Sequence, residues 1–406
     1  MPDAAESGQW KAMIGRSGYG LLLTWAAMTA AAATASTYAS PADPGAPADA
    51  HAPGVTDPAA LRDGKRIYTE ACAACHGADG TGVRQEQLGF DVPTPDFTDC
   101  NFATREADAD WVAVAHDGGP VRAFARFMPA FGEALSETQL EAAVGHIRGF
   151  CDSGAWPRGE LNLPLPLYTT KAFPEDEVVV QSTVATEDPG SIVLEAIYEK
   201  RIGARNQVEI AVPAVWRESR TAGGEGTGDW RSVLGDVVLG YKRVVHDNLD
   251  RGTIVSFATE VVLPTGDEDA GASAGTVIVE PMLLVGQLLP RGWFVHGQAG
   301  FGLPLDSDEA EDEAFWRLAA GRAITEGRWG RRWAPMVEVL GSRELADGAD
   351  TDWDAVPQIQ VTLNRRQHVR LGVGVRLPLN NTGERDAVVR LYVLWDFFDG
   401  GLADGW

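Results

Sequence analysis

From residue 177 onward, apolar and polar side chains alternate with a period of two. In "HVRLGVGVRLPL", Val369, Leu371, Val373, Val375, Leu377 and Leu379 share one face, and His368, Arg370, Gly372, Gly374 and Arg376 the other. "DAVVRLYVLWDFF" sets Ala387, Val389, Leu391, Val393, Trp395 and Phe397 against Arg390, Tyr392 and Asp396. Such alternation marks strands with one face in an apolar medium. It recurs in segments 177–186, 191–203, 206–219, 236–247, 253–263, 276–287, 293–303, 314–324, 333–342, 355–364, 368–378 and 387–398, which predicts about twelve strands. Upstream the period becomes helical. "SETQLEAAVGHIRGF" carries a stripe of Leu140, Val144, Ile147 and Phe150, and Ser136 with Gln139 spells a capping box. "DPAALRDGKRIYTEACAACHG" opens on the helix-start pair Asp57-Pro58, with Leu61, Ile67, Tyr68 and Ala71 on its apolar face.

The connections between the strands fall into two kinds. "GARN", "HDNLDRG", "LPRG", "EGRWGRR" and "RRQ" are short, and most are basic. "SRTAGGEGTGDWRSVLG", "PTGDEDAGASAG", "PLDSDEAEDEA" and "SRELADGADTDWD" are longer and mostly acidic. Short turns at one end and long loops at the other fit a transmembrane antiparallel β-barrel over residues 177–406. A soluble β-sandwich would also alternate, but it has no need to segregate its loops. A first strand running outward puts every short turn, and the domain before the barrel, on the periplasmic side.

Ahead of the helices, Lys11 and Arg16 precede an apolar run from Gly18 that ends in Ala33-Thr34-Ala35. This reads as an export signal over residues 1–35. A retained anchor is the alternative, but the Ala- and Thr-rich second half favours cleavage. Residues 36–57 are rich in Pro and Ala and read as a tether. With 34 basic and 58 acidic residues, the balance argues against a nucleic-acid partner. Residues 152–176 hold Trp156, Leu161, Leu163, Leu165, Leu167 and Tyr168. That is too apolar for a solvated linker. This connector should pack on its neighbours and hold the helical domain, residues 58–151, in a fixed pose.

All four cysteines, Cys72, Cys75, Cys100 and Cys151, belong to the helical domain. Cys72-Ala-Ala-Cys75-His76 is the spelling of covalent haem attachment: two thiols for thioether bonds and an imidazole for the iron. A zinc knuckle would need a second ligand pair, and a thioredoxin-like pair a βαβ setting. Between Met28 and Met282 the chain has one methionine, Met128 in "RFMPAFG". It is the candidate distal iron ligand, and a thioether there suits electron transfer. His116 and His146 compete for that role but read as helix-surface or helix-end residues. Cys100 and Cys151 are expected to form a disulfide, worth roughly 4 kcal/mol by loop closure; two free thiols are the alternative.

The haem motif, the "MPAF" loop and the crossing of first and last helices together resemble the class I c-type cytochromes. That resemblance implies a small all-α fold around one covalent haem c, with His76 and Met128 as axial ligands. The aromatic-rich last strand and Trp406 resemble the assembly signal of outer-membrane barrels. "GTIVSFATEVVLPTG" and its neighbours resemble barrels found with aromatic-hydrocarbon degradation pathways. The pairing of the two halves is similar to the fused cytochrome–porins of iron-oxidising bacteria, although this chain has a larger cytochrome and fewer strands.

These readings describe an electron carrier rather than a catalyst. Its haem would sit in the periplasm beneath the outer membrane, with the barrel in outer-membrane lipid. The partner would be a periplasmic redox protein, or a small donor or acceptor reaching the haem through the lumen. The alternative is a transporter for small hydrophobic or aromatic compounds with an accessory haem; a haem enzyme would need an open distal position. Glu195, Glu209, Glu260, Glu280 and Glu338 are placed inward with Arg317, Arg370, Arg376 and Arg390, as a salt-bridged plug or a polar channel. His246, His296 and His368 lie on separate strands, which disfavours a metal site.

Overall fold

The computed structural model describes residues 58–151, 153–185, 190–220, 226–383 and 385–397. The export signal, the tether, Asp57 and Trp406 lie outside the described residues. In the helical domain, α1 (Pro58–Ile67) runs through a π-helical turn (Tyr68–Cys72) into α2 (Ala73–His76). Then come α3 (Cys100–Ala103), α4 (Asp108–Asp117) and α5 (Glu137–Arg148). The capping box at Ser136 and Gln139 forms as expected. Leu140, Val144 and Ile147 are buried. Helices α1 and α5 cross where Gly64 lies on the backbone of Ala142, a contact with no room for a Cβ. A disulfide joins Cys100 and Cys151, their Cα atoms 5.3 Å apart.

Twelve antiparallel strands follow and close into a barrel. In chain order they are β1 (Glu177–Ala185), β2 (Ser191–Ile202), β3 (Asn206–Arg220), β4 (Gly226–Leu234 and Val237–Asn248), β5 (Thr253–Leu263) and β6 (Ile278–Leu288). The rest are β7 (Trp293–Pro304), β8 (Glu313–Arg322 and Ile324–Thr325), β9 (Arg332–Glu344), β10 (Asp352–Thr362), β11 (Val369–Pro378) and β12 (Val388–Asp396). Pairing of β1 with β12, from Glu177↔Asp396 to Val184↔Val389, closes the ring. One expectation is corrected. The segment read as a long loop before residue 236 contains the outer half of β4, which pairs with β3 from Ala214↔Leu234 to Arg220↔Gly226. The glycines of "GGEGTG" obscured its alternation.

The alternation does what a barrel requires. Val337 on β9 and Val373 on β11 face outward, while Glu338, Gln358, Gln360 and Arg376 are buried in the interior. That interior is not an open channel. Residues 161–176 of the connector run through it. Leu161 and Phe173 pack with Ile254, Met282 and Leu284; Leu163 packs with Phe294 and Met336; Leu167 packs with Val356 and Leu394. The connector was expected to pack on its neighbours, and it does so by filling one of them.

Polar groups fix this strand-like plug. Glu338 accepts from the backbone N–H of Leu167 (2.8 Å), Tyr168 (3.0 Å) and Thr169 (2.8 Å). Tyr392 Oη donates to the Leu165 carbonyl at 2.7 Å, and His296 Nε2 lies 3.0 Å from the Pro164 carbonyl. Arg317 donates to the Tyr168 carbonyl, and Arg390 lies over the Tyr168 ring at 4.4 Å. Of the inward-facing Glu and Arg residues, Glu338, Arg317 and Arg390 thus hold the connector as a plug.

One level of the lumen carries a row of carboxylates in direct register: Glu177 opposite Glu199, and Glu199 opposite Glu209. Gly240 then lies between Glu209 and Glu260, and Glu260 is opposite Glu280. Like charges facing each other across strands repel. The connector brings a counter-charge: Lys171 pairs with Glu175 and lies 3.3 Å from Glu177. Lys242 Nζ donates to the Lys171 carbonyl at 3.0 Å. A cavity of about 10 Å³, close to the size of one water, lies beside Thr170, Glu209, Lys242 and Glu260.

Candidate functional site

The continuous helix from Pro58 to His76 delivers the motif, and its end is pinned. Tyr68, fully buried, donates its hydroxyl to the carbonyls of Gly77 (2.6 Å) and His76 (3.2 Å). Burial pushes the Tyr68 hydroxyl up to about 12, so it stays a donor. The chain leaves the helix at Gly77, whose φ of 76° suits only glycine well. It then turns back: Gly82 N–H donates to the His76 carbonyl at 2.9 Å, and Val83 N–H to that of Cys75 at 3.0 Å.

Cys72 and Cys75 are free thiols, both half-buried. Burial, aided by Cys75, pushes the Cys72 thiol up to about 11. The His76 ring stacks on Phe97 with centroids 4.9 Å apart, and Phe97 meets Trp111 at 5.3 Å. Burial holds the imidazole below the ordinary histidine value, which favours the neutral form an iron ligand needs. Its Nδ1 is buried without a hydrogen-bond partner.

Met128 lies half-buried in the loop after α4. Its carbonyl accepts from Gly119 N–H at 3.1 Å. Next to it, Phe127 stacks on Phe90 with centroids 4.5 Å apart, tying the Met128 loop to the loop that follows the motif. Among the described side chains of the domain, the large apolar Val92, Phe124 and Phe127 stay exposed, all on these two loops. Two free thiols, an imidazole with an unpartnered Nδ1, and a thioether on a loop tied to the one after the motif are a donor set that fits a haem. The rival histidines are engaged elsewhere. His116 pairs with Asp117, and His146 sits between Tyr68 and Phe150 at 5.4 and 5.1 Å.

Residues 59–147 match the family described as "Cytochrome C oxidase, cbb3-type, subunit III". Residues 190–382 match "Putative MetA-pathway of phenol degradation". The chain thus joins a helical domain that matches a cytochrome family to a closed twelve-stranded β-barrel that matches a second family. Among solved structures, an outer-membrane channel from Pseudomonas putida F1 is similar at 15% identity, over 58% of this chain and 100% of that one, with a TM-score of 0.43. The KdgM porin is similar at 8% identity over 54% of this chain and 99% of its own, with a TM-score of 0.35. No curated protein matches the chain.

The cytochrome domain sits on the end of the barrel that carries the short turns. Glu137 pairs with Arg328 at 3.1 Å, and Glu106 lies 2.8 Å from His368 Nε2. Arg105 pairs with Asp176 at the foot of β1. Burial disfavours charge on His368, but its hydrogen bond and charge contact with Glu106 outweigh this and hold it above the ordinary histidine value. Asp110 is bound twice by Arg122, at 2.7 and 3.0 Å, and lies 3.6 Å from Arg332. Burial pushes this carboxyl up; the charges of Arg332 and Arg122 win and hold it below the usual carboxylate value. Beneath α4, Arg148 bonds Asp108 at 2.7 Å and lies over the Trp111 ring at 4.0 Å.

The deepest contact was not foreseen. In the turn "EGRWGRR", Trp329 packs into the cytochrome domain's own cluster, with Trp111, Ala115, Phe131 and Leu135. A lone tryptophan in a short basic turn was the available signal. Acidic residues of the domain thus meet basic turns of the barrel around one aromatic wedge.

Proposed function

We propose that the protein is an electron-transfer cytochrome anchored at the periplasmic face of the outer membrane by its own barrel. Cys72 and Cys75 would hold one haem c through thioether bonds, with His76 and Met128 as the candidate ligands of its iron. When bound, that group supplies reversible one-electron chemistry. The chain's part is to orient and shield. Tyr68 fixes the end of the motif helix, and Phe97 braces the imidazole. The Met128 loop adds apolar cover through Phe127.

The single observation that carries the reading is the connector inside the lumen. A barrel filled by its own chain supports an anchor better than a transporter for hydrophobic or aromatic compounds. It also argues against a donor or acceptor that reaches the haem through the lumen, and so favours a partner on the periplasmic side. An apolar band about 25 Å tall separates the two surfaces of such a barrel, which also favours exchange on the cytochrome's own side.

Redox titration of the purified full-length protein in detergent, followed by stopped-flow oxidation with a soluble small cytochrome, tests this. Reversible one-electron behaviour and saturable exchange are expected. The wild-type protein reconstituted into liposomes should show no uptake of aromatic solutes. Uptake independent of haem, with no electron exchange, would favour the transporter.

A further inference from the structure

The loop that carries Met128 is held mainly from one side, and that side is the barrel. Within the domain, residues 118–132 hang on the end of α4: Phe131 N–H donates to the Ala115 carbonyl at 3.0 Å, and Gly132 N–H to that of His116 at 2.9 Å. Gly119 N–H closes the loop onto the Met128 carbonyl at 3.1 Å. Phe127 adds its stack on Phe90; the other holds come from a barrel turn or from a residue bound to one. Arg122, inside the loop and buried, donates to the Trp329 carbonyl at 2.7 Å. The same guanidinium grips Asp110, which also faces Arg332. Trp329 packs on the cluster of Val112, Leu140 and Val144 that Ala115 and Phe131 also join, and its ring lies 6.2 Å from that of His116, whose carbonyl holds Gly132. On the far flank, Arg366 of the next turn lies 4.8 Å from the ring of Phe124.

We propose that Trp329, with Arg332 and Arg366, is a positioning element for Met128: the barrel keeps the ligand loop closed, and docking on the barrel determines how firmly the thioether binds iron. This inference rests on Met128 being the distal ligand. None of the three barrel residues belongs to the haem motif; they act through Arg122, Phe124, His116 and the cluster that Phe131 joins. A loop of fifteen residues without them samples open forms, and the ligand is effective only in the closed fraction. The barrel thereby contributes to the cytochrome's chemistry as well as to its location.

The test uses the full-length haem-loaded protein in detergent and compares wild type with Trp329→Ala, Trp329→Phe, Arg366→Gln and Glu137→Gln. Glu137→Gln removes an interface ion pair that does not touch the loop. The readouts are the charge-transfer absorption of methionine-ligated ferric haem, the midpoint potential, and carbon monoxide affinity of the reduced form. Trp329→Ala should weaken the absorption, lower the potential and raise carbon monoxide affinity by about tenfold or more. Arg366→Gln should move the same way by less, while Trp329→Phe and Glu137→Gln stay near wild type. Amide exchange at Phe131 and Gly132 should also quicken in Trp329→Ala, with or without haem. Should Trp329→Ala fail to assemble, Arg366→Gln and exchange at Phe131 decide the question. Unchanged absorption, affinity and exchange in folded variants would overturn this inference alone. Absence of the absorption in the wild type would overturn the assignment of Met128, and this inference with it.

Discussion

Glu338 on β9 is completely buried, and one of its carboxylate oxygens accepts the backbone N–H of Thr169 at 2.8 Å, across the interior of the barrel. The same carboxylate takes the N–H groups of Leu167 and Tyr168 and the Thr169 hydroxyl. One side chain therefore satisfies three successive amides of a segment that has no strand partner. Replacing it with alanine strands the N–H groups of Tyr168 and Thr169, each at about 1–3 kcal/mol, while Leu167 N–H keeps Gln358 as an acceptor at 3.0 Å. Glu338→Ala should lower the temperature at which the barrel loses its compact gel mobility. In planar bilayers the wild type should be closed and the variant should conduct. A variant as stable and as closed as wild type would show that the plug is held without Glu338.

Lys171 answers a different need. It meets Glu175 and Glu177 at one end of the carboxylate row. Lys171→Met keeps the bulk and removes the charge, leaving buried carboxylates uncompensated. The variant should unfold at lower denaturant than wild type at neutral pH, and the difference should shrink as the medium is acidified. Equal loss at all pH values would point to packing rather than charge.

The dock between the domains should depend on pH in a defined direction. His368 titrates above the ordinary value of 6.5 because of Glu106, so its contribution is complete below that value and fades as pH rises through the raised one. Asp110 titrates below the ordinary value of 3.8, so its contribution is complete above that value and is lost as pH falls through the lowered one. The protection factors of α4 amides, which take out the intrinsic base-catalysed rise in exchange, should therefore be largest in mildly acidic solution and fall on the alkaline side. His368→Gln should abolish the alkaline change. Persistence of that change in the variant would assign it to another group.

The Cys100–Cys151 bridge closes a span of 51 residues around α4 and α5. Loop-closure entropy gives it about 4 kcal/mol. Replacing both cysteines with serine should destabilise the cytochrome domain by that order in denaturant titrations followed at the haem absorption, with the barrel transition unmoved. A change under about 1 kcal/mol would mean that the open chain is already compact there.

Much of this fold is legible in the sequence because its two media impose different periods. Lipid on one side of each strand forces the alternation seen in Val373 against Gly372 and Gly374, and the helical stripe of Leu140, Val144 and Ile147 follows from a core on one side only. The haem motif is legible because its chemistry needs neighbours in sequence. What escaped depends on partners distant along the chain. The outer half of β4 hides behind glycines. Glu338 reads as any lumen carboxylate until the connector is seen beside it. Trp329 reads as a turn residue, and its wedge role exists only once the two domains meet.

The central claim, a covalent haem held in the outer membrane, is tested most directly by separating the membranes of cells that produce the protein on a density gradient and staining denaturing gels for haem. The account predicts a haem-stained band at the size of the whole mature chain in the outer-membrane fraction, lost when Cys72 and Cys75 are both replaced by alanine. Haem-stained intact chain in the soluble periplasm, or an outer-membrane band without haem, would contradict it.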